Sequence, residues 1–282
     1  MAKKIVLNAK YQNKNQKGKK LKKLFMLNRK VFSYPYIAFL TLFVIAPLLL
    51  ILINAFLVNG TFSLQNFVNF FTESTSLSTL SDSLLVGFVT TVLCIVIGYP
   101  VAYILSKMDS GKVLVLLFVL PMWVNFLIRT LATKTIFESL GVKLGMGTVI
   151  FGMVYNYLPF MILPLHTTLS SIDKSYSEAA QDLGADSITS FLNITLPLSL
   201  PGIISGITMV FVPTISTFAI SELLSNNQIL LFGDSINLKF SQDMYGVGSV
   251  MSIIMLLFVL ISNGLINKFQ GKTVDEARRN LW

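Results

Sequence analysis

The chain has 282 residues, a net charge of +9, and only 12% charged residues against 54% hydrophobic ones. Its mean hydropathy is +0.71. Globular chains usually carry about 25% charged residues, so this composition excludes a soluble globule with a polar surface and leaves a chain whose outside faces lipid.

The charges themselves mark the spans. Runs free of Asp, Glu, Lys and Arg cover 42 residues after Lys30, 24 after Asp82, 16 after Lys112, 29 after Lys143, 35 after Asp186 and 24 after Asp243. A spanning helix takes ~20 mostly apolar residues. The runs therefore predict six spans near 34–57, 84–105, 113–131, 148–169, 201–223 and 250–266, all within a membrane domain over 31–270. The third run is the shortest, and its span has to tolerate Arg129 at its end. Stretches such as Leu48 to Ile53 do not alternate, which excludes a β-barrel.

Lys and Arg set the orientation. The first 30 residues hold 11 of the 22 basic residues and no acid. With this basic tail 1–30 in the cytoplasm, an even number of spans returns the C-terminal tail 271–282 to the same side. Cytoplasmic segments then hold 18 basic residues, and the other face holds four: Arg129, Lys134, Lys143 and Lys239. That distribution follows the positive-inside rule. Anionic lipid headgroups account for the net charge without nucleic acid. The first apolar stretch is longer than the ~7–15 residues of a signal-peptide core, which predicts an uncleaved first span.

The residue inventory offers little catalytic chemistry. Cys94 is the single cysteine and lies in mid-span, so no disulfide framework or thiolate cluster is available. The lone histidine, His166, has no Cys or carboxylate neighbours at metal-ligand spacing. No G-x-S-x-G elbow occurs. Gly271-Lys272-Thr273 looks like the end of a P-loop, but Ile266 stands where the first glycine is required. The expectation is a non-catalytic membrane protein with no cofactor of its own. Gly202 and Gly206 form a G-x-x-x-G spacing that predicts close helix packing in span five.

The connection between spans four and five, 171–200, is different from the others. Ser175-Tyr176-Ser177-Glu178 fits a capping box and predicts a helix start. Ala179, Ala180 and Leu183 then form a small apolar face, and Gly184 ends the helix in a left-handed cap. Asp186 or Ser187 caps a second short helix through Phe191 and Ile194. Pro197 and Pro201 are expected to stop it and turn the chain back into the membrane. The result is a helix-turn-helix bracket. It either receives another surface or rests on its own bundle.

These residues carry a resemblance. Glu178-Ala179-Ala180, then Gly184, then Ile194-Thr195-Leu196-Pro197 match E-A-A-x-x-x-G-x9-I-x-L-P at every position, the coupling loop of ABC importer permeases. The run Leu120 to Thr130, the run Tyr157 to Leu165, and Ile172-Asp173-Lys174 leading into Glu178 resemble the polyamine permeases, and most of all the B-type permease subunits of spermidine/putrescine importers. The likeness covers roughly 30–270. It implies an all-α integral membrane protein with six transmembrane helices in the type I ABC importer permease fold. It also implies docking of the bracket on a separate ATPase subunit, a helix-in-groove contact in physical terms. In that role Glu178 makes charged contacts, Ala179 and Ala180 allow close approach, Gly184 makes the bend, and Leu196 and Pro197 close the motif. The implied partners are a homologous second permease, two ATPase subunits that bind ATP, an extracytoplasmic polyamine-binding protein and membrane lipid. The implied location is the bacterial cytoplasmic membrane, with both termini cytoplasmic.

A polyamine crossing a low-dielectric layer needs carboxylates, carbonyls or aromatic faces for its ammonium groups. Glu222 looks like the acid that related permeases carry near the end of span five and is the first candidate; otherwise it is a solvated interfacial acid. Trp123, beside Pro121 and Asn125, either stacks against substrate or packs between helices. Tyr155, Asn156 and Tyr157 cluster in span four. Arg129 is a poor cation ligand and is expected to pair with Glu138 or Asp234, or to snorkel. Glu73 and Asp82 lie in a first outer loop without Lys or Arg and provide a field that attracts polycations. An ABC permease for another solute and an ATP-independent secondary transporter remain the rival readings. The latter predicts paired broken halves and a buried ion site.

Overall fold

The computed structural model describes residues 33–58 and 60–279, with side chains to residue 266 and for Lys268. The basic tail 1–30 lies outside the described residues. The chain divides into 1–54 and 55–282. The first unit carries all but the last residue of α1 (Ser33–Ala55), a helix long and apolar enough to cross a membrane. Its exposed Phe39, Leu42, Leu49 and Ile53 suit a lipid environment.

In the second unit a two-residue hairpin, β1 (Leu57–Val58) and β2 (Thr61–Phe62), precedes α2 (Gln65–Thr72). Then come α3 (Ser74–Lys107), α4 (Gly111–Val119) with a tightened last turn over Leu120–Trp123, α5 (Phe126–Ser139) and α6 (Met146–Ser171). The bracket opens with α7 (Lys174–Asp182) and leads into α8 (Ser187–Ser216). The short α9 (Ile220–Leu224) and α10 (Phe232–Ser241) precede α11 (Tyr245–Arg279).

The core is a bundle of α3, α6 and α8, with α11 against α8. Val86 shares a buried cluster with Val149 and Met153, and Ala102 shares another with Leu165 and Leu169. Helices α3 and α6 therefore run parallel. The Tyr99 and Ser199 hydroxyls lie 2.9 Å apart, and Ile215 faces Gly87, so α8 runs antiparallel to α3. Lipid supplies no hydrophobic drive between helices, so small residues and close approach hold such bundles together. A Cβ on Gly202 would meet Thr168 Oγ1 at 2.7 Å and the Pro164 carbonyl oxygen at 3.0 Å, and one on Gly206 would meet Met161. The G-x-x-x-G spacing does pack closely, against α6. Gly202→Leu is expected to force α8 off α6 and cost about 1–3 kcal/mol of stability by overpacking, seen as a lower melting temperature in detergent. Gly202→Ala is expected to cost less. Unchanged melting of the Leu variant would refute this contact.

Three expectations are corrected. First, span three is not one straight helix. Five helices are long and apolar enough to cross a membrane, and α4 with α5 counts as a sixth span only as a pair bent by 89°. Pro121 sits in the tight turn at the end of α4, Val124 is extended, and the Asn125 side chain accepts from Leu127 N at 2.8 Å to cap a new helix.

Second, Pro197 and Pro201 do not stop the bracket's second helix. Helix α8 runs unbroken for 30 residues. A wide π turn over Phe191–Thr195, closed by Leu196 N–H on Phe191 O, precedes Pro197 and removes the carbonyl clash and the missing donor that a proline brings to an α-helix. Helix α1 uses the same device, with a π turn over Thr41–Ile45 before Pro47. Third, α8 ends at Ser216, so Glu222 stands on the separate helix α9.

Candidate functional site

The bracket is built by its caps. Asp173, not Ser175, caps α7: its carboxylate accepts from Ser175 N at 2.9 Å. Gly184 adopts φ +86 and closes α7 with Gly184 N–H on Gln181 O and Ala185 N–H on Ala180 O, both at 2.9 Å. Asp186 then caps α8 through Thr189 N at 3.0 Å. The Ser177 and Ser190 hydroxyls, 3.1 Å apart, tie the two arms.

The caps depress both carboxylates. Asp173 is lowered first by the Ser175 N–H, and Asp186 by the Thr189 hydroxyl and then its N–H. A depressed acid stabilises above its unfolded value of ~3.9 and loses that contribution as pH falls through the lower folded value. The bracket is therefore expected to keep the same amide-exchange protection from pH 5 to 8. Asp173→Ala and Asp186→Ala are expected to speed exchange in α7 and the first turn of α8. Equal exchange in variant and native protein would refute the capping role.

The bracket presents an apolar tip. Leu183 is 90% exposed and Ile188 68% exposed, and Tyr176 and Leu192 are exposed as well. Glu178 and Ala179 are exposed and Ala180 half-buried. An exposed leucine beside a left-handed glycine, inside a polar loop, was the signal in the sequence. At the root, half-buried Leu196 packs on the cluster of Tyr99, Ala102, Leu165 and Leu169, and Pro197 is half-buried. The motif thus runs from an exposed arm on α7, through the turn at Gly184, to a half-buried root on α8.

The other end of the bundle carries a different construction. Asp234 is 3% exposed. Its carboxylate accepts from Ala219 N and Leu231 N, both at 2.8 Å, and from the Ser221 hydroxyl. Ala219 holds φ +71, a left-handed conformation unusual for alanine. Phe232 N–H donates to Ser83 Oγ at 2.7 Å, and Thr148 donates to Leu224 O at 2.7 Å. This knot fixes α9 against α3 and α6. Sequence reading offered Asp234 only as a partner for Arg129; Gly233-Asp234 after an apolar run was the missed signal of a buried cap.

The candidate path residues do not form one site. Trp123 is 83% exposed at the bend, and Asn125 is spent on its cap. Tyr157 is half-buried, and its hydroxyl donates to Pro213 O at 3.4 Å. Glu222 is exposed on α9. Tyr155 and Arg129 do meet: the guanidinium carbon lies 5.6 Å from the ring centroid. Both line a groove of about 400 Å³ with Val124, Ile128, Phe137 and Phe151. Arg129 pairs with neither expected acid. Glu138 faces Lys134 at 3.9 Å, and Asp234 is held by its three donors. Glu73, assigned to a free outer field, is engaged by Lys239 at 3.3 Å.

Comparison with known proteins places the chain. Residues 29–274 match the family described as binding-protein-dependent transport system inner membrane component. The spermidine/putrescine transport system permease protein PotB of Haemophilus influenzae is 33% identical over 82% of this chain and 92% of its own. Its Escherichia coli counterpart is 32% identical over 82% and 96%. Among solved structures, a bacterial ABC transporter that imports the acidic polysaccharide alginate aligns with a TM-score of 0.64 at 14% identity, covering 89% of this chain and 98% of that one. The MetNI methionine ABC transporter, in inward-facing conformations, aligns with a TM-score of 0.54 at 18% identity, covering 71% and 95%. The chain belongs to the family of binding-protein-dependent transport system inner membrane components: it is a multi-pass membrane permease subunit of an ABC importer with the type I permease fold.

Proposed function

We propose that this chain is one half of the pore of an ATP-driven polyamine importer and that its bracket is where the engine attaches. The observation that carries the engine is the continuity of the motif with a membrane helix: Glu178, Ala179, Ala180 and Gly184 lie on or beside the exposed arm, and Leu196 and Pro197 lie on α8, which runs on to Ser216 without a break. A push on the tip is a push on the end of a stiff helix. The solute is supported by the PotB relatives, which are named for spermidine and putrescine.

In this reading a homologous second permease completes the pore. Two cytoplasmic ATPase subunits bind ATP, dock on the two brackets and turn the pore outward as they close. An extracytoplasmic polyamine-binding protein delivers the solute, and lipid surrounds the bundle. This chain binds no nucleic acid and no cofactor of its own and performs no catalysis. Both termini are cytoplasmic, supported by the 18-to-4 split of basic residues. Glu222 offers a carboxylate to an arriving ammonium group, and exposed Trp123 offers a ring face. Asn125 holds the bend open beside Trp123, and Tyr155 and Tyr157 line α6 below.

The test is uptake of labelled spermidine into proteoliposomes that hold both permeases and the ATPases, with the binding protein outside and ATP on the ATPase side. ATP-dependent uptake that putrescine competes for supports the reading. Uptake without ATP overturns the engine, and ATP hydrolysis with no polyamine uptake overturns the solute.

A further inference from the structure

Arg129 carries an unbalanced charge. Its Nε and Nη1 atoms are buried by the chain itself and have no hydrogen-bond acceptor among the described residues. The guanidinium lies over the Tyr155 ring, and the groove around it is lined by aliphatic and aromatic side chains with Thr133 among them. A second apolar groove of about 430 Å³ continues from the same Phe151 and Tyr155 along Leu93, Ile97, Val154 and Leu158. A guanidinium stays charged at any accessible pH, and inside a membrane such a charge costs several kcal/mol unless paired. Every acid of this chain that sequence analysis offered is engaged elsewhere.

The depth of the site selects the partner. Tyr155 is the tenth residue of α6, about 14 Å from its Met146 end at 1.5 Å per residue. With the Met146 end of this span at the outer boundary, that distance falls inside the hydrocarbon layer of ~30 Å, and lipid phosphates sit outside it. A carboxylate on a packed helix reaches that level without leaving the membrane. Resting on the proposed pairing with a second permease, we infer that Arg129 is the cationic half of an inter-subunit ion pair, and that its groove receives a helix of the second permease bearing a membrane-embedded Asp or Glu. The two apolar grooves, which meet at Phe151 and Tyr155, fit the flank of such a helix, and the ion pair fixes its register. The pair also removes from a cation pathway a positive charge that would otherwise repel the cargo.

Ala132 lines the groove and is exposed, so a photo-reactive benzoylphenylalanine placed there leaves Arg129 intact. Irradiation of the co-purified complex in liposomes is expected to cross-link it to the second permease, within a peptide that holds an acid in a span. Arg129→Glu is expected to lower uptake at least about tenfold, as expected when a buried pair loses one partner. Replacing the identified acid by Arg is expected to restore it, and an Arg129→Glu variant stabilised by phospholipid alone is not. A cross-link to lipid, a cross-linked peptide without an acid, or failure of the reciprocal swap overturns the ion pair while the two permeases still co-purify. Failure of the permeases to co-purify overturns the pairing itself, and the ion pair with it.

Discussion

Glu178→Arg and Leu183→Asp are each expected to lower ATP-driven uptake at least about tenfold while leaving the folded membrane protein intact. Both side chains are exposed, so neither change disturbs the bundle. Leu183 projects from the end of α7 with 90% of its surface free, the position of an anchor that fills a groove. Losing such an anchor costs about 2 kcal/mol or more, about thirtyfold in affinity. Reversing Glu178 adds repulsion across the same contact. The expected result is loss of ATPase co-purification together with at least about tenfold lower uptake, with melting in detergent unchanged. Variants that keep the ATPases and transport normally would remove the bracket from the coupling path.

Asp234→Ala is the second large effect, and it acts through stability. The substitution strands the N–H groups of Ala219 and Leu231 and the Ser221 hydroxyl in a buried place. Each stranded donor costs about 1–3 kcal/mol, and no cation among the described residues is released to compensate. The left-handed Ala219 loses the bond that holds it, so the start of α9 is expected to loosen while the Thr148 bond to Leu224 O still holds its end. The melting temperature is expected to fall by several degrees, and more than for Asp234→Asn, which keeps one acceptor oxygen. A variant that melts with the native protein would show that the knot is not what holds this end.

The sequence announced the spans because charge cannot be hidden in hydrocarbon: five of the six charge-free runs hold a helix long and apolar enough to cross a membrane, and the shortest holds a bent pair. It announced the turn of the bracket because Gly184 sits where only a left-handed residue closes a helix. Other features depend on pairwise geometry. The bend of span three follows from Pro121 and an Asn125 cap, both visible in a run too short for comfort, yet either residue is compatible with a straight span. The unbroken α8 escaped because a π turn absorbs Pro197, and no local residue preference marks such a turn. Asp173 displaced Ser175 as the cap because the chain enters α7 extended at 173, which the S-x-x-E spacing does not encode. Asp234 was read as a partner for Arg129 because its three donors come from residues 219, 221 and 231, and only the fold brings them together. The path residues scattered for the same reason: spacing along α6 puts Tyr155 and Tyr157 on different faces.

The central claim, that the bracket lies in the cytoplasm and is covered by the ATPase, is tested most directly by one engineered cysteine. Cys94 is the only native cysteine and is buried, so Ile188→Cys can be labelled with a membrane-impermeant maleimide against a silent background. The account predicts labelling in inside-out vesicles and not in right-side-out ones, and loss of that labelling when the ATPase subunits are bound. Labelling from the outer face, or labelling that the ATPases do not slow, would contradict it.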